Sequence, residues 1–414
     1  MVLAYTCGKS MPKIPNLHSH HLRLLKLIHG HSKASRSELV DNTGYSTFLV
    51  SKICDDLIRR QVVCETGPGD STGGRPPTML SLHPDLGQLV GIHIGTVNAR
   101  IAVTDMSGNM LAYLKTPSRV QSGPEAALDH LIALVQECLR RVQVNRSTLR
   151  GIGIGISGVL DRASGTTVFW PKVPQWANVP VKQIFAKHFE VLVEIEDSPR
   201  TMAMAERRLG AASQTDGLIY IAAGAGIGAA IFLKGELFTG AYGFAGELGH
   251  ITVDANGPLC SCGNRGCVEA LVSAGALIRR ARQAVADGLA IQLWQLCQGD
   301  SSRMTLELIV QAASQNDRFS LNLLEQAGRH LGLGVVTLVN LFNPALIVIG
   351  GGLASAAGRV LLPVVERVVR QHTMTQLTDQ LQIRLSTLEE SDWARGAALL
   401  VWEKALELAF IESK

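Results

Sequence analysis

Four side chains in one short stretch, His250, Cys260, Cys262 and Cys267 of GELGHITVDANGPLCSCGNRGCVEA, are the soft donors that a tetrahedral zinc ion takes. Gly263 and Gly266 lie among them and supply the positive φ angles that a chain needs to wrap tightly round an ion. Four protein ligands leave no open position for water, so the ion expected here is structural and not hydrolytic. The other reading is three ordinary buried cysteines beside a core histidine. Glu247 and Glu269 flank the ligands without being needed by them. The metal is therefore expected to hold two carboxylates at the edge of another site.

The remaining cysteines, Cys7, Cys54, Cys64, Cys138 and Cys297, are scattered, which fits thiols in a reducing cytoplasm and not a disulfide framework. With 46% hydrophobic and 18% charged residues, the 414-residue chain is expected to be soluble and globular, with two or three cores. The opening residues lack the cationic lead and apolar length of a signal peptide. Residues 217–233 and 331–358 are uncharged, but Gly224, Gly226 and Gly228 break the first, and Asn340, Asn343 and Pro344 break the second. Neither is expected to span a membrane. The formal charge of +4 sits in residues 1–84, with 10 basic and 6 acidic side chains, while the rest carries 29 of each. A basic module on a neutral body hints at an acidic partner.

The pattern within that module says more. Leu22, Leu24, Leu25, Leu27 and Ile28 form a helical stripe, and Ser35 to Glu38 has capping-box spacing that opens a short helix through Val40. Asn42-Thr43-Gly44 reads as a tight turn, and Ser46 as the cap of a helix with Val50, Ile53, Leu57 and Ile58 facing inward. This is a helix-turn-helix order, and it places Ser46, Thr47, Phe48, Ser51 and Lys52 on the side that would face double-stranded DNA. Residues 62–65 and 79–82 read as two strands of a wing, with Arg75 in the loop between them placed to reach a minor groove. The bland alternative is a small helical domain with a hairpin and no nucleic acid.

From Gln88 strands and helices alternate. Residues 89–96, 99–104 and 110–113 read as an antiparallel start, followed by a helix over 125–142 and a buried strand over 151–156. A second lobe repeats the opening: strand 217–221, glycine loop 222–228, strand 229–233. Such loops can turn backbone N–H groups toward phosphates. Glycines alone are weak signals, but two loops in equivalent places of a duplicated fold point to nucleotide-kinase ancestry.

With these motifs in place, the chain resembles the ROK family of repressors, open reading frames and sugar kinases. The helix-turn-helix with its GGRPP wing end matches the repressor branch, which includes the N-acetylglucosamine and xylose repressors. GELGH with CSCGNRGCVE, and LVNLFNPALIVIGGG, match the family's zinc and sugar signature and its C-terminal lobe. The resemblance implies an α/β fold: a winged helix-turn-helix over 1–84, then a two-lobed actin-like, hexokinase-like body. Its first lobe would cover 85–206, completed by a C-terminal helix over 393–414, and its second 207–392. It also implies a cleft between lobes and a homodimer or homotetramer.

Residue by residue, the resemblance makes His250, Cys260, Cys262 and Cys267 the zinc ligands. It makes Glu247, Glu269 and His250 sugar contacts and puts Asp197 on the kinase base. Glu196 and Lys172 replace two asparagines of the sugar site, His93 replaces a loop carboxylate, and Ala225 a loop hydroxyl. Phosphoryl transfer needs Mg²⁺ and charge-assisted positioning of the γ-phosphate. Those losses favour a sensor without kinase activity: a repressor released by a sugar or sugar phosphate bound at Lys172, Glu196, Asp197, Glu247, His250 and Glu269. The alternatives are an ATP-dependent sugar kinase with an appended DNA-binding domain, and a repressor released by a protein partner.

Overall fold

The structure, a computed structural model, describes residues 19–30, 33–69, 76–212 and 215–411. Its N-terminal module is set by two serine caps. Helix α1 (Ser19–Gly30) precedes a two-residue strand β1 (Ala34–Ser35). Ser35 then caps α2 (Arg36–Thr43) in a complete capping box, its Oγ accepting from the Glu38 N–H while the Glu38 carboxylate accepts from the Ser35 N–H. The helix runs past Val40, so Asn42 and Thr43 belong to its last turn and not to the expected tight turn. Both side chains donate back to the helix, Asn42 to the Glu38 carbonyl and Thr43 to that of Leu39, which holds that turn helical. Gly44, left-handed at φ 69°, ends it.

Ser46 caps α3 (Thr47–Arg59), whose Val50, Ile53, Cys54 and Leu57 are buried. Cys54 takes the inner place expected of Ile58, which is half-buried. Strands β2 (Val63–Pro68) and β3 (Thr78–Leu82) form the antiparallel wing, and β1 pairs with the far edge of β3. Arg75 lies outside the described residues.

The rest contains the same sheet twice. In the first, β4 (Gln88–Ile94), β5 (Asn98–Asp105) and β6 (Met110–Pro117) form an antiparallel meander. After α4 (Pro124–Arg141), β7 (Leu149–Ile156) lies parallel to β4. A small hairpin of β8 (Val159–Asp161) and β9 (Thr166–Phe169) leads through α5 (Val181–Phe189) to β10 (Leu192–Asp197), which is parallel to β7. Helix α6 (Ser198–Leu209) follows.

In the second sheet the meander is β11 (Leu218–Ala223), β12 (Ile227–Leu233) and β13 (Glu236–Phe238). Helices α7 (Val268–Val272), α8 (Ala274–Ala286), α9 (Ile291–Leu296), α10 (Leu306–Ser314) and α11 (Arg318–Phe342) precede β14 (Leu346–Gly350), which is parallel to β11. Helices α12 (Gly352–His372) and α13 (Thr375–Thr378) lead to β15 (Gln382–Leu385), parallel to β14. The strand orders, β10-β7-β4-β5-β6 and β13-β12-β11-β14-β15, describe one topology used twice. That is the duplication the paired glycine loops announce. Two compact units result, residues 1–208 with 389–414, and residues 209–388.

The chain returns to the first unit in α14 (Glu390–Ile411), which lies across β4, β7, β5 and β10. Glycines let it come close: a Cβ on Gly91 or Gly153 would sit 1.8 Å from the carbonyl oxygen of Ala394 or Ala397. Farther along, Ala398, Val401, Trp402 and Leu406 join one buried cluster with Leu24, Leu25 and Ile28 of α1, Val50 and Leu57 of α3, and Leu80 and Leu82 of the wing. The Trp402 ring stacks on His29 at 3.5 Å, and its Nε1 donates to the Met106 carbonyl. The N-terminal module thus shares its core with this helix. Among the described residues, no helix is long and apolar enough to cross a membrane.

Candidate metal centre and DNA-reading face

The stretch from Gly246 to Glu269 folds back on itself through antiparallel bridges at Thr252–Cys267 and Leu259–Arg265. Gly266, at φ 62°, makes the crossing possible, because a Cβ there would lie 1.5 Å from the Asp254 carbonyl oxygen. Cys260 and Gly263 close a knuckle, with the Gly263 N–H donating to the Cys260 carbonyl. Cys267 caps the short α7, and His250 ends a 3₁₀ turn over Leu248–His250.

These local turns bring one donor atom each from His250, Cys260, Cys262 and Cys267 within 4.8 Å of one another. Nδ1 of His250 is 3.7 Å from Sγ of Cys260, and Sγ of Cys262 is 3.7 Å from Sγ of Cys267. A tetrahedron with zinc–sulfur bonds of about 2.3 Å has sulfur–sulfur edges of roughly 3.8 Å, so the donor set fits that ion. Burial, then the neighbouring Cys262 and Cys260 thiols, pushes Cys267 up to about 12. Such crowded sulfurs become thiolates together only where a cation compensates their charge.

The two flanking acids sit beside this cluster. The other ring nitrogen of His250, Nε2, is 3.8 Å from Oε2 of Glu247. Glu247 leaves 55% of its side chain exposed. Even so, desolvation by the crowded surroundings raises its carboxyl above the usual range, with His250 opposing and Glu269 adding to the shift. Glu269 accepts from the Ile227 N–H at 3.0 Å, which ties the cysteine loop to the end of the second glycine loop. Ala225 is exposed in that loop.

In the first unit the acids at the end of β10 are engaged by arginines that the sequence did not single out. Oε1 of Glu196 accepts from Arg162 Nε at 2.9 Å, from Arg200 Nη1 at 3.2 Å and from the Asp197 N–H at 2.9 Å. Asp197 Oδ2 is 3.1 Å from Arg200 Nε, and its Oδ1 accepts from the Arg200 N–H. Arg200 could have been found from its i+3 and i+4 spacing to these two acids; Arg162, far along the chain, had no such signal. Lys172 lies half-buried in the turn after β9, its carbonyl accepting from Gln121. His93 is buried, and burial with the adjacent Arg100 pulls its pKa down to about 3, so the imidazole stands neutral where a carboxylate was expected of a kinase.

On α3, Thr47, Phe48 and Lys52 are exposed, Phe48 to 79%, while Ser51 is half-buried. Ser46 is exposed and spends its Oγ on the helix cap, accepting from the Leu49 N–H. Phe48 thus presents an exposed apolar side chain in the first turn of this helix.

The sequence model of the ROK family matches residues 89–404. The chain belongs to the ROK family. Its duplicated sheets are those of the actin-like ROK body, preceded by a winged helix-turn-helix. The xylose repressor of Bacillus subtilis (strain 168) is 31% identical over 386 residues, covering 93% of this ROK chain and 95% of that protein. The glucokinase of Thermotoga maritima is 30% identical over 318 residues, which are 98% of the kinase but 77% of this chain. The crystal structure of a ROK family transcriptional regulator, a homologue of the E. coli MLC protein, superposes with a TM-score of 0.75 at 25% identity, covering 95% of this chain and 100% of that one.

Proposed function

We propose that this ROK chain is a DNA-binding transcriptional repressor that a sugar or sugar phosphate releases from its operator. The observation that carries the reading is the pairing of two features in one unit. A winged helix-turn-helix with an open reading face shares its core with a kinase-type body whose first glycine loop holds a neutral, buried His93. Without a carboxylate at that loop, Mg²⁺ loses a natural anchor and phosphoryl transfer loses its charge-assisted positioning. The similarity to a repressor along 93% of the chain supports the same conclusion, against 77% for a glucokinase. On this reading Ser46, Thr47, Phe48, Ser51, Lys52 and Arg75 meet the DNA. Zinc, held by His250, Cys260, Cys262 and Cys267, is structural. It fixes the cysteine loop so that Glu247 and Glu269 present acceptors to sugar hydroxyls, since a charged acceptor makes the stronger hydrogen bond, while His250 presents its Nε2–H as a donor. Lys172, Glu196 and Asp197 are the first unit's effector contacts, and their opposite charges leave neutral and phosphorylated sugars both admissible.

The protein works in the cytoplasm as a homodimer or homotetramer, and release follows because effector and operator favour different conformations of it. A thermal-shift screen across sugars and sugar phosphates, xylose among them, tests the effector half, because a ligand specific to the folded state raises the melting temperature. Operator release by the compound that scores completes the test. Phosphorylation of a sugar with Mg-ATP at an ordinary kinase rate would defeat the reading. Release by a protein captured from sugar-grown cells, with no sugar needed, would replace the effector with a partner.

A further inference from the structure

The first turn of α14 is fastened to the first sheet by one carboxylate oxygen. Oε2 of Glu390 accepts from Arg100 Nε at 3.0 Å and Nη2 at 2.7 Å, and lies 2.6 Å from Lys115 Nζ. Arg100 on β5 has 7% of its side chain exposed, whereas Lys115 on β6 and Glu390 are open at 44% and 39%. The Arg100 guanidinium lies 4.4 Å from the Trp393 ring, and its Nη1 is 3.5 Å from both the His93 Nδ1 and the Asn98 carbonyl. The charged groups at this point are thus Arg100 and Lys115 from the sheet and Glu390 from the helix. Glu389 is near enough to act on the Tyr113 hydroxyl, and His93 is buried among them. One carboxylate oxygen faces two cations, three N–H donors converge on it, and an aromatic face and an uncharged imidazole wall the rear.

That is how proteins hold a phosphate oxygen: a pre-organised arginine fork, a mobile lysine and no permanent carboxylate wall behind. We propose that Arg100 and Lys115 form a phosphate-group site which the chain's own Glu390 occupies, and that a phosphate-bearing ligand displaces Glu390 and frees the first turn of α14. The ligand class follows from the donors, two cations and three N–H groups directed at one point. A dianion gains more from two cations than a single carboxylate does, and Glu390 sits at the helix end, where it can swing outward. The same helix carries Trp393 over Arg100 at one end and Trp402 into the core of the DNA-binding module at the other. Filling the site is therefore felt by the module, and this regulatory half rests on the repressor reading.

The test uses the full-length protein and inorganic phosphate in chloride buffer, read by calorimetry and by the emission of Trp393, with W393F as the blank. E390Q, which removes the competing charge, should bind phosphate at least tenfold more tightly than the wild type, and K115Q at least tenfold more weakly. Equal affinity of E390Q and wild type, or of K115Q and wild type, would overturn the site. ADP and glucose 6-phosphate run beside phosphate, and the tighter of the two tells a nucleotide source from a sugar-phosphate one. Saturating phosphate should also change the affinity of wild type, but not of K115Q, for a selected operator fragment. Phosphate binding with unchanged operator affinity overturns the relay. Phosphate binding by a protein that binds no DNA fails the repressor reading and leaves the site standing.

Discussion

At the first glycine loop a histidine is kept uncharged by its surroundings, and that has a measurable consequence. The unfolded chain protonates His93 near pH 6.5, whereas burial and Arg100, against a smaller pull from Glu390, hold the folded value down to about 3. Between those values the unfolded state binds more protons, so stability is full above about pH 6.5 and falls as the solution is acidified. His29, lowered by burial and by Arg208, adds to the effect with the same sign. Between pH 7 and pH 5 the His93 shift should cost about 2 kcal/mol, read from urea midpoints, with His29 adding to the fall. H93Q should flatten the slope, and an unchanged slope would mean that His93 is not the titrating group. At the metal cluster, C260A should remove zinc, about one ion per subunit in the wild type by elemental analysis, and lower the melting temperature, since the ion's binding is coupled to folding of its loop. E247Q should keep zinc and DNA binding but lose release by effector. Loss of zinc from E247Q would instead make Glu247 a group that orients His250 through the 3.8 Å contact.

The elements place these residues through a few close fits. Gly153 admits α14 to the sheet, so G153A should cost about 1–3 kcal/mol through overpacking against the Ala397 carbonyl. Because α14 also completes the core of the N-terminal module, the same variant should weaken DNA binding although it lies outside the reading face. A G153A protein with lower stability but full operator affinity would show that the module does not depend on this helix. S35A should cost about 1 kcal/mol by removing one arm of the capping box. The helix-turn-helix was legible because Ser35, Glu38, Gly44 and Ser46 act within a few residues of their own position, and the cysteine cluster because its ligands share one loop. The sequence was silent where partners are far apart in the chain. The pairing of Arg162 with Glu196, of Arg100 with Glu390 and of His29 with Trp402 depends on tertiary contact, and no local pattern marks such pairs. Glu196 shows the difference: substitution for asparagine marked it as an effector contact, and the fold gives it two arginines as well.

For the whole molecule, the basic surplus of residues 1–84 predicts operator affinity that falls steeply with salt, by about 0.9 in log–log slope for each phosphate neutralised. K52A should reduce that slope by about one without unfolding the protein, because Lys52 is exposed. A fragment beginning at Gln88 should bind no operator, and full affinity in that fragment would move DNA binding out of the N-terminal module. A symmetric oligomer should protect two half-sites one or more helical turns apart in a footprint. The shared core of α1, α3, the wing and α14 also bears on when the molecule becomes able to act. Ribosomes add about 5–20 residues each second, so the reading helix emerges some tens of seconds before Trp402 exists to stack on His29. During that interval the nascent module lacks its inner wall, and its hold on an operator should be weaker. Chains cut short by a broken message never gain that wall. A chain truncated before Trp402 should therefore bind an operator fragment more weakly than the whole chain, and equal binding in a gel-shift would show that the module needs no such wall.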